Sequence, residues 1–229
     1  MDFTSFDKRH YPVLRPSDGY GEWAPTYEAT VLDLMDLRLL AQLRCVDWKE
    51  SAAAIDLACG TGRIGAWLRA QGVRRLDGVD LTPAMLALAT QKNVYDTLQQ
   101  GDVTATGLTY GAYDLATQSL ADEHLADLQP LYREVARLLR PGGRFVLVGY
   151  HPHFLMLGMP THFDRANGES VTVESHVHLF ADHVAAAHAH GFVLQEMIES
   201  VIDDTWVAAK PKWETHRNHP ISFAMVWRR

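Results

Sequence analysis

Asp56 stands four residues ahead of a glycine turn, in the run Ile55-Asp56-Leu57-Ala58-Cys59-Gly60-Thr61-Gly62-Arg63. The run reads as a short apolar strand that turns into a helix, and glycines at such a turn let the backbone approach a ligand and take φ values that other residues resist. Gly60, Gly62 and Gly65 fit the dinucleotide fingerprint G-x-G-x-x-G, and Asp80 lies 20 residues beyond Gly60, where that fingerprint places an acceptor for ribose hydroxyls. The carboxylate of Asp56 separates the two chemistries this turn can serve. It suits a ligand that carries an ammonium group and suits an adjacent pyrophosphate poorly.

Three further segments follow in order: Gly78-Val79-Asp80-Leu81-Thr82-Pro83-Ala84-Met85-Leu86, then Gly101-Asp102-Val103, then Leu138-Leu139-Arg140-Pro141-Gly142-Gly143-Arg144-Phe145-Val146-Leu147. With them the chain, over roughly residues 20–150, resembles the class I S-adenosylmethionine (SAM)-dependent methyltransferases, whose glycine motif reads as an acid followed by G-x-G-x-G; Ala58 takes the place of the first glycine. The resemblance implies SAM as cofactor, a ligand with an ammonium group and no phosphate. Asp56 would meet that ammonium, and Ala58, Cys59, Gly60, Thr61 and Gly62 would form the turn beneath it. Asp80, with Leu81 and Met85 beyond it, would accept both ribose hydroxyls. Asp102 would accept from the adenine amino group, Val103 would flank the ring, and Ser119 and Leu120 would line the pocket. Taken singly, Asp80 could instead cap the helix after it and Asp102 could be a turn residue. Tyr20-Gly21-Glu22-Trp23-Ala24-Pro25-Thr26-Tyr27 resembles the aromatic segment that closes over SAM in many small-molecule members, which would set Tyr20, Trp23 and Tyr27 against the sulfonium and the acceptor; the alternative is core packing, for Tyr27 above all.

The chemistry implied is in-line displacement at an activated methyl carbon, on a small-molecule acceptor, with O- or N-methylation favoured. A hydroxyl acceptor needs a base, and an amine does not. His124, in Gln118-Ser119-Leu120-Ala121-Asp122-Glu123-His124-Leu125, either deprotonates an acceptor or anchors the following helix. His151, in Tyr150-His151-Pro152-His153-Phe154, is preferred as the base, with Tyr150 beside it. A metal on His151, His153, His162, His176 and His178 is not expected, because no carboxylate or cysteine stands at ligand spacing. The connector 200–220 carries Asp203, Asp204, Trp206, Lys210, Lys212, Trp213, His216, Arg217 and His219, which reads either as an anion clamp with aromatic walls or as a solvated loop pinned by two tryptophans. Two rival readings stay open: an NAD-dependent oxidoreductase, for which no Tyr-x-x-x-Lys set is visible, and a noncatalytic SAM-binding module.

The elements that must position these residues alternate. Strands are expected near 52–57, 76–81, 95–99, 112–118, 144–150, 192–199 and 221–227, with helices near 63–70, 83–91, 127–139 and 181–190. Such alternation implies right-handed crossovers and a mostly parallel doubly wound α/β sheet, and the resemblance adds a seventh strand running antiparallel between the fifth and sixth. Val31, Leu34, Met35, Leu39 and Leu43 recur at helical spacing and predict one helix over 26–43 within an N-terminal lid, residues 1–45. Gly72 and Gly191 are placed to end helices, as is the Gly142-Gly143 pair. Asn167-Gly168 between two alternating runs predicts a small β-hairpin insertion within 161–178. Segments 151–180 and 200–220 then fall on the substrate side of a single domain, 1–229.

The composition bounds the partners. With 229 residues and 47% hydrophobic content the chain can bury one full core. A formal net charge of −7 offers no basic face for nucleic acid. Thr117-Gln118-Ser119-Leu120 also replaces the [DN]-P-P-[YF] motif of base-specific enzymes, and no Pro-Cys pair occurs. Cys45 and Cys59, the only cysteines, read as thiols in a reducing compartment. Met1 to Trp23 lacks the apolar run of a signal peptide or membrane span, so a cytoplasmic protein with no membrane partner is expected.

Overall fold

Short apolar runs separated by amphipathic ones fold into a sheet covered on both sides. The computed structural model describes residues 1–229. The N-terminal part contains β1 (Val13–Leu14), α1 (Pro16–Trp23), α2 (Tyr27–Thr30) and α3 (Leu37–Leu40). The central part follows with β2 (Ala53–Leu57), α4 (Arg63–Ala70), β3 (Arg75–Asp80), α5 (Pro83–Lys92), β4 (Thr97–Gln100), β5 (Tyr113–Ser119), α6 (Gln129–Leu138) and β6 (Leu139–Tyr150). The C-terminal part holds α7 (Pro152–Met156), β7 (His162–Asp164), β8 (Ser170–Val173), α8 (Phe180–Ala189), β9 (Val193–Val201), α9 (Asp204–Ala209) and β10 (Pro220–Arg228).

Seven strands form the main sheet in the order β4-β3-β2-β5-β6-β10-β9. All neighbours from β4 to β6 are parallel, and β10 lies antiparallel to both β6 and β9. The reversed strand therefore sits where the resemblance puts it. Along β10, Ala224 and Val226 join one apolar cluster while Phe223, Met225 and Trp227 join the other. This is the alternation of a strand buried on both faces; Ile221, at the register shift between Pro220 and Ser222, falls out of that phase.

The insertion at 161–178 is a hairpin, as Asn167-Gly168 predicts: β7 and β8 pair antiparallel around Gly168 at φ +83°. Two-residue β1 adds to it in parallel, Val13 opposite Thr172, so the hairpin is clamped to the N-terminal segment. No helix is long and apolar enough to cross a membrane.

Three elements differ from expectation. The helix over 26–43 is absent as one piece: α2 ends where Val31 turns extended (φ −88°, ψ 129°), and Asp36 caps a separate α3 by accepting from the Leu37 amide. Thr30 bonds back to the Thr26 and Tyr27 carbonyls, a contact that competes with helix continuation, and Asp33 and Asp36 turn toward Arg63. Met35, Leu39 and Leu43 are buried nonetheless; their recurrence reports the core, not one continuous helix. Helix α1 was not anticipated, although Pro16 occupies its first turn, a favoured place for proline. Gly142-Gly143 does not end a helix. Helix α6 stops at Leu138 and the pair lies inside β6, at the register shift between Tyr113 and Leu115, where a β-carbon on Gly143 would come within 2.9 Å of the Arg140 carbonyl oxygen. Gly72 and Gly191 do follow the caps of α4 and α8, both at positive φ.

Candidate functional site

The turn after β2 carries three left-handed residues, Ala58 (φ 55°), Gly60 (φ 55°) and Gly62 (φ 82°). Two are glycines that adopt this conformation freely. Ala58 carries a cost of about 1–2 kcal/mol there, offset by the structure that fixes the loop. Gly65, third glycine of the fingerprint, serves a different end. A β-carbon on it would lie 2.3 Å from the Tyr95 ring, and one on Gly78 would meet the same ring at 3.0 Å. These two glycines make room for Tyr95, whose hydroxyl donates to Oδ2 of Asp56 at 2.7 Å.

Asp56 is 1% exposed. Its second oxygen accepts from Thr117 Oγ1 at 2.9 Å, and burial pushes its carboxyl up to about 6. The structure thus puts Asp56 beneath the turn and off the cavity wall, a correction to the expectation that it faces a ligand directly. Cys59, Thr61 and Gly62 likewise do not reach the cavity surface. Cys59 and Thr61 are buried, the latter donating to Glu28 at 2.6 Å, and Gly62 backs onto Tyr95 and Ala89.

Above the turn is a cavity of about 270 Å³ lined by Tyr20, Tyr27, Ala58, Gly60, Asp80, Leu81, Met85, Asp102, Val103, Ser119, Leu120 and His124, with Pro16, Thr82, Ala121 and Leu125 completing it. It lies outside the carboxyl ends of β2, β3 and β5, the ligand position of open parallel sheets. Asp80, at the end of β3, accepts from the Gly60 amide through Oδ2 and from the Thr82 amide through Oδ1, both at 2.8 Å. It therefore fixes the glycine turn and the start of α5 together, and each oxygen keeps a second lone pair. Asp102 spends Oδ1 on the Thr104 amide and hydroxyl. Both acids fix turns and both line the cavity.

The donor and acceptor set fits SAM. Gly60 lines the cavity, and a β-carbon built on it meets no atom within 4 Å, so the space a side chain would fill is left free. Asp80 and Asp102 supply acceptors for hydroxyls and an amino group, while Leu81, Met85 and Val103 supply apolar walls.

His124 ends a short 3-10 turn, Asp122–His124, just after the strained Leu120 (φ 52°) at the end of β5. Its Nδ1 lies 2.6 Å from the Glu174 carbonyl oxygen. A carbonyl only accepts, so Nδ1 carries the proton and Nε2 accepts from the Tyr20 hydroxyl at 2.9 Å. Burial lowers the imidazole to about 4. Glu123, 3.6 Å from Nε2, is pushed up to about 8 by burial and then by Asp122. At neutral pH both groups are mainly uncharged, and their proximity is not an ion pair.

His151 goes elsewhere. Successive side chains leave β6 on opposite faces, so Tyr150 lines a second cavity while His151 lines neither. Its Nδ1 accepts from the His153 amide at 3.1 Å, capping α7, and its Nε2 donates to Glu199 at 2.8 Å. With both ring nitrogens engaged away from the cavities, the preference for His151 as base is corrected.

The second cavity, of about 380 Å³, is bounded by Trp23, Tyr150, Phe154, Phe163, Trp206 and Trp213 together with lysines and His162. Trp23, expected against SAM, lines this cavity and not the first. It stacks on Tyr20 at 5.8 Å and meets Tyr27 edge-on at 5.0 Å, so these three rings stand between the two cavities. The connector 200–220 folds as α9 and a 3-10 segment Pro211–His216, and it forms part of this second wall.

Sequence reasoning missed Tyr95 and the tie between Arg63 and Asp36. Arg63 reaches Asp33 and both oxygens of the buried Asp36, and Ser119 donates to the same carboxylate at 3.2 Å. The pairing binds the lid to the start of α4, and no local spacing announces it.

The family model described as a methyltransferase domain matches residues 55–147. An uncharacterized methyltransferase of Emericella nidulans is 23% identical over 231 residues, covering 83% of this chain and 80% of that protein. A demethylmenaquinone methyltransferase of Thermus thermophilus is 32% identical over 149 residues, or 58% of this chain, which spans 64% of that enzyme's length. The crystal structure of an S-adenosylmethionine-dependent methyltransferase from Mesorhizobium loti shares the fold at a TM-score of 0.68 and 24% identity, over 86% of this chain and 98% of that one. Residues 55–147, which begin at the glycine turn, match a methyltransferase domain, and the chain shares over most of its length the fold of an S-adenosylmethionine-dependent methyltransferase.

Proposed function

We propose that the protein transfers the methyl group of SAM to a hydroxyl or amine of a small molecule by in-line displacement. The observation that carries this reading is the Tyr20–His124 pair on the wall of the cofactor cavity. SAM, when bound, supplies an electrophilic methyl carbon, so the chain has chiefly to align the acceptor, exclude water and, for a hydroxyl, remove a proton. Tyr20 and Tyr27 close the cavity from the side of the lid. A hydroxyl acceptor that donates to the Tyr20 oxygen lets Tyr20 pass its own proton to Nε2 of His124, which the Glu174 carbonyl holds ready in the correct tautomer. An amine acceptor uses the same alignment without the relay.

The formal net charge of −7 favours a small molecule over nucleic acid. The Thermus relative's name, a demethylmenaquinone methyltransferase, supports the same class. The experiment is turnover against a metabolite panel, read as S-adenosylhomocysteine release with mass spectrometry of the product. A methylated metabolite formed in step with S-adenosylhomocysteine supports the reading. Methylation of only protein or nucleic acid in the same assay overturns it.

A further inference from the structure

The second cavity is walled by two sets of stacked rings. Tyr150, Phe154, Trp213 and Trp206 follow one another at centroid spacings of 6.2, 5.5 and 5.3 Å with interplanar angles of 10°, 14° and 24°. Trp23 and Phe163 stack at 5.3 Å and 14°. All six line the same space. Lys210 and Lys212 come to it from the segment that carries the two tryptophans, and neither forms an ion pair with a carboxylate.

Lys210 is half-buried and spends one hydrogen on the Thr30 carbonyl at 3.3 Å. Burial, and then Lys212, lower its ammonium from the ordinary lysine range. An anion beside the two lysines relieves both effects. One carboxylate, Asp164, also lines this wall; its Oδ1 accepts from the Ser170 hydroxyl, and it forms no ion pair with either lysine. Trp206 is 1% exposed, and its indole N–H has no hydrogen-bond partner within the protein. Two unpaired cations beside an aromatic cavity are notable in a chain of net charge −7.

We propose that this cavity is the acceptor pocket and that it takes flat aromatic carboxylic acids, with the ring among Trp23, Phe154 and Trp213 and the carboxylate at Lys210 and Lys212. As an account of the acceptor, the assignment rests on the methyl-transfer reading. As an account of binding, it stands on the cavity alone. Trp23 faces this pocket and stacks at 5.8 Å on Tyr20 of the cofactor cavity, so these two rings separate an acid held here from the cofactor, and methyl transfer to it requires them to part.

The test is calorimetry on the full chain with 1-hydroxy-2-naphthoate and its neutral carboxamide, each with and without S-adenosylhomocysteine. The wild-type protein binds the acid at least about 10-fold more tightly than the amide, the scale of one charged hydrogen bond. In Lys210→Met/Lys212→Met, shown folded by circular dichroism, that ratio falls to about one while the amide's affinity is kept. Equal affinities in the wild type, binding of neither probe, or a preference for the acid that survives in the double variant overturns the proposal. Absence of S-adenosylhomocysteine binding tells against the methyl-transfer reading separately, because the acid and amide are also compared without it.

Discussion

The Tyr20 hydroxyl donates to Nε2 of His124 across 2.9 Å, and the Glu174 carbonyl fixes the opposite ring nitrogen as the donor. The contact joins the N-terminal segment, through α1, to the turn that follows β5. A histidine positioned in this way accepts a proton only along the line of the tyrosine.

That geometry separates the two candidate histidines. His124→Gln lowers turnover of a hydroxyl acceptor by about 10²–10⁴-fold with SAM affinity retained, because loss of a base acts on the chemical step. His151→Gln keeps turnover and costs about 1 kcal/mol of stability through the loss of its cap on α7. Steady-state kinetics on both variants, with a denaturant melt for each, checks the pair. A turnover loss confined to His151→Gln contradicts the assignment.

The burial of His124 has a thermodynamic signature. Its folded value of about 4 lies below the ordinary 6.5, so between those values the unfolded chain binds the extra proton. Stability falls as pH drops from 6.5 toward 4, by roughly 3 kcal/mol from this group. Glu123 works in the opposite direction: its folded value of about 8 exceeds the ordinary 4.5, and stability falls as pH rises through that window. The net slope mixes the two, and the contrast between chains is what isolates the histidine. Urea melts from pH 7 to pH 4 should show His124→Gln losing less stability than the wild type; parallel losses would refute the buried neutral imidazole.

Gly65 and Tyr95 give a packing prediction. Gly65→Ala places a methyl group 2.3 Å from the Tyr95 ring, and the ring cannot move without leaving Asp56. Destabilisation of about 1–3 kcal/mol is expected for such overpacking, with weaker SAM binding as the turn shifts. Denaturant melts and calorimetry check it, and unchanged values for both contradict the role given to Tyr95.

The sheet and the cofactor cavity were legible because their signals are local. A strand, a glycine turn and an acid at the next strand's end lie within a few residues of one another, and Ala58, Gly60, Asp80 and Asp102 reach the cavity as a set. What the sequence hid was orientation and distance. Whether Asp56 looks up at a ligand or down at Tyr95 depends on a ring 39 residues away. Which of Tyr150 and His151 faces the cavities depends on the phase of β6 at its last residue, and an error of one residue exchanges them. The broken helix after Thr26 was hidden for a related reason. Buried apolar residues recur whether the backbone between them is helical or kinked, and the kink is fixed by Arg63, far along the chain.

The central claim is that the cavity above Gly60 holds SAM with Asp80 as an acceptor for its ribose. Titration calorimetry of wild type and Asp80→Ala with SAM, S-adenosylhomocysteine and NAD tests it most directly. The account predicts one SAM or S-adenosylhomocysteine per chain, no binding of NAD, and affinity weaker by about 1–3 kcal/mol in Asp80→Ala. Binding of NAD alone, or an unchanged affinity in a folded Asp80→Ala, would contradict it.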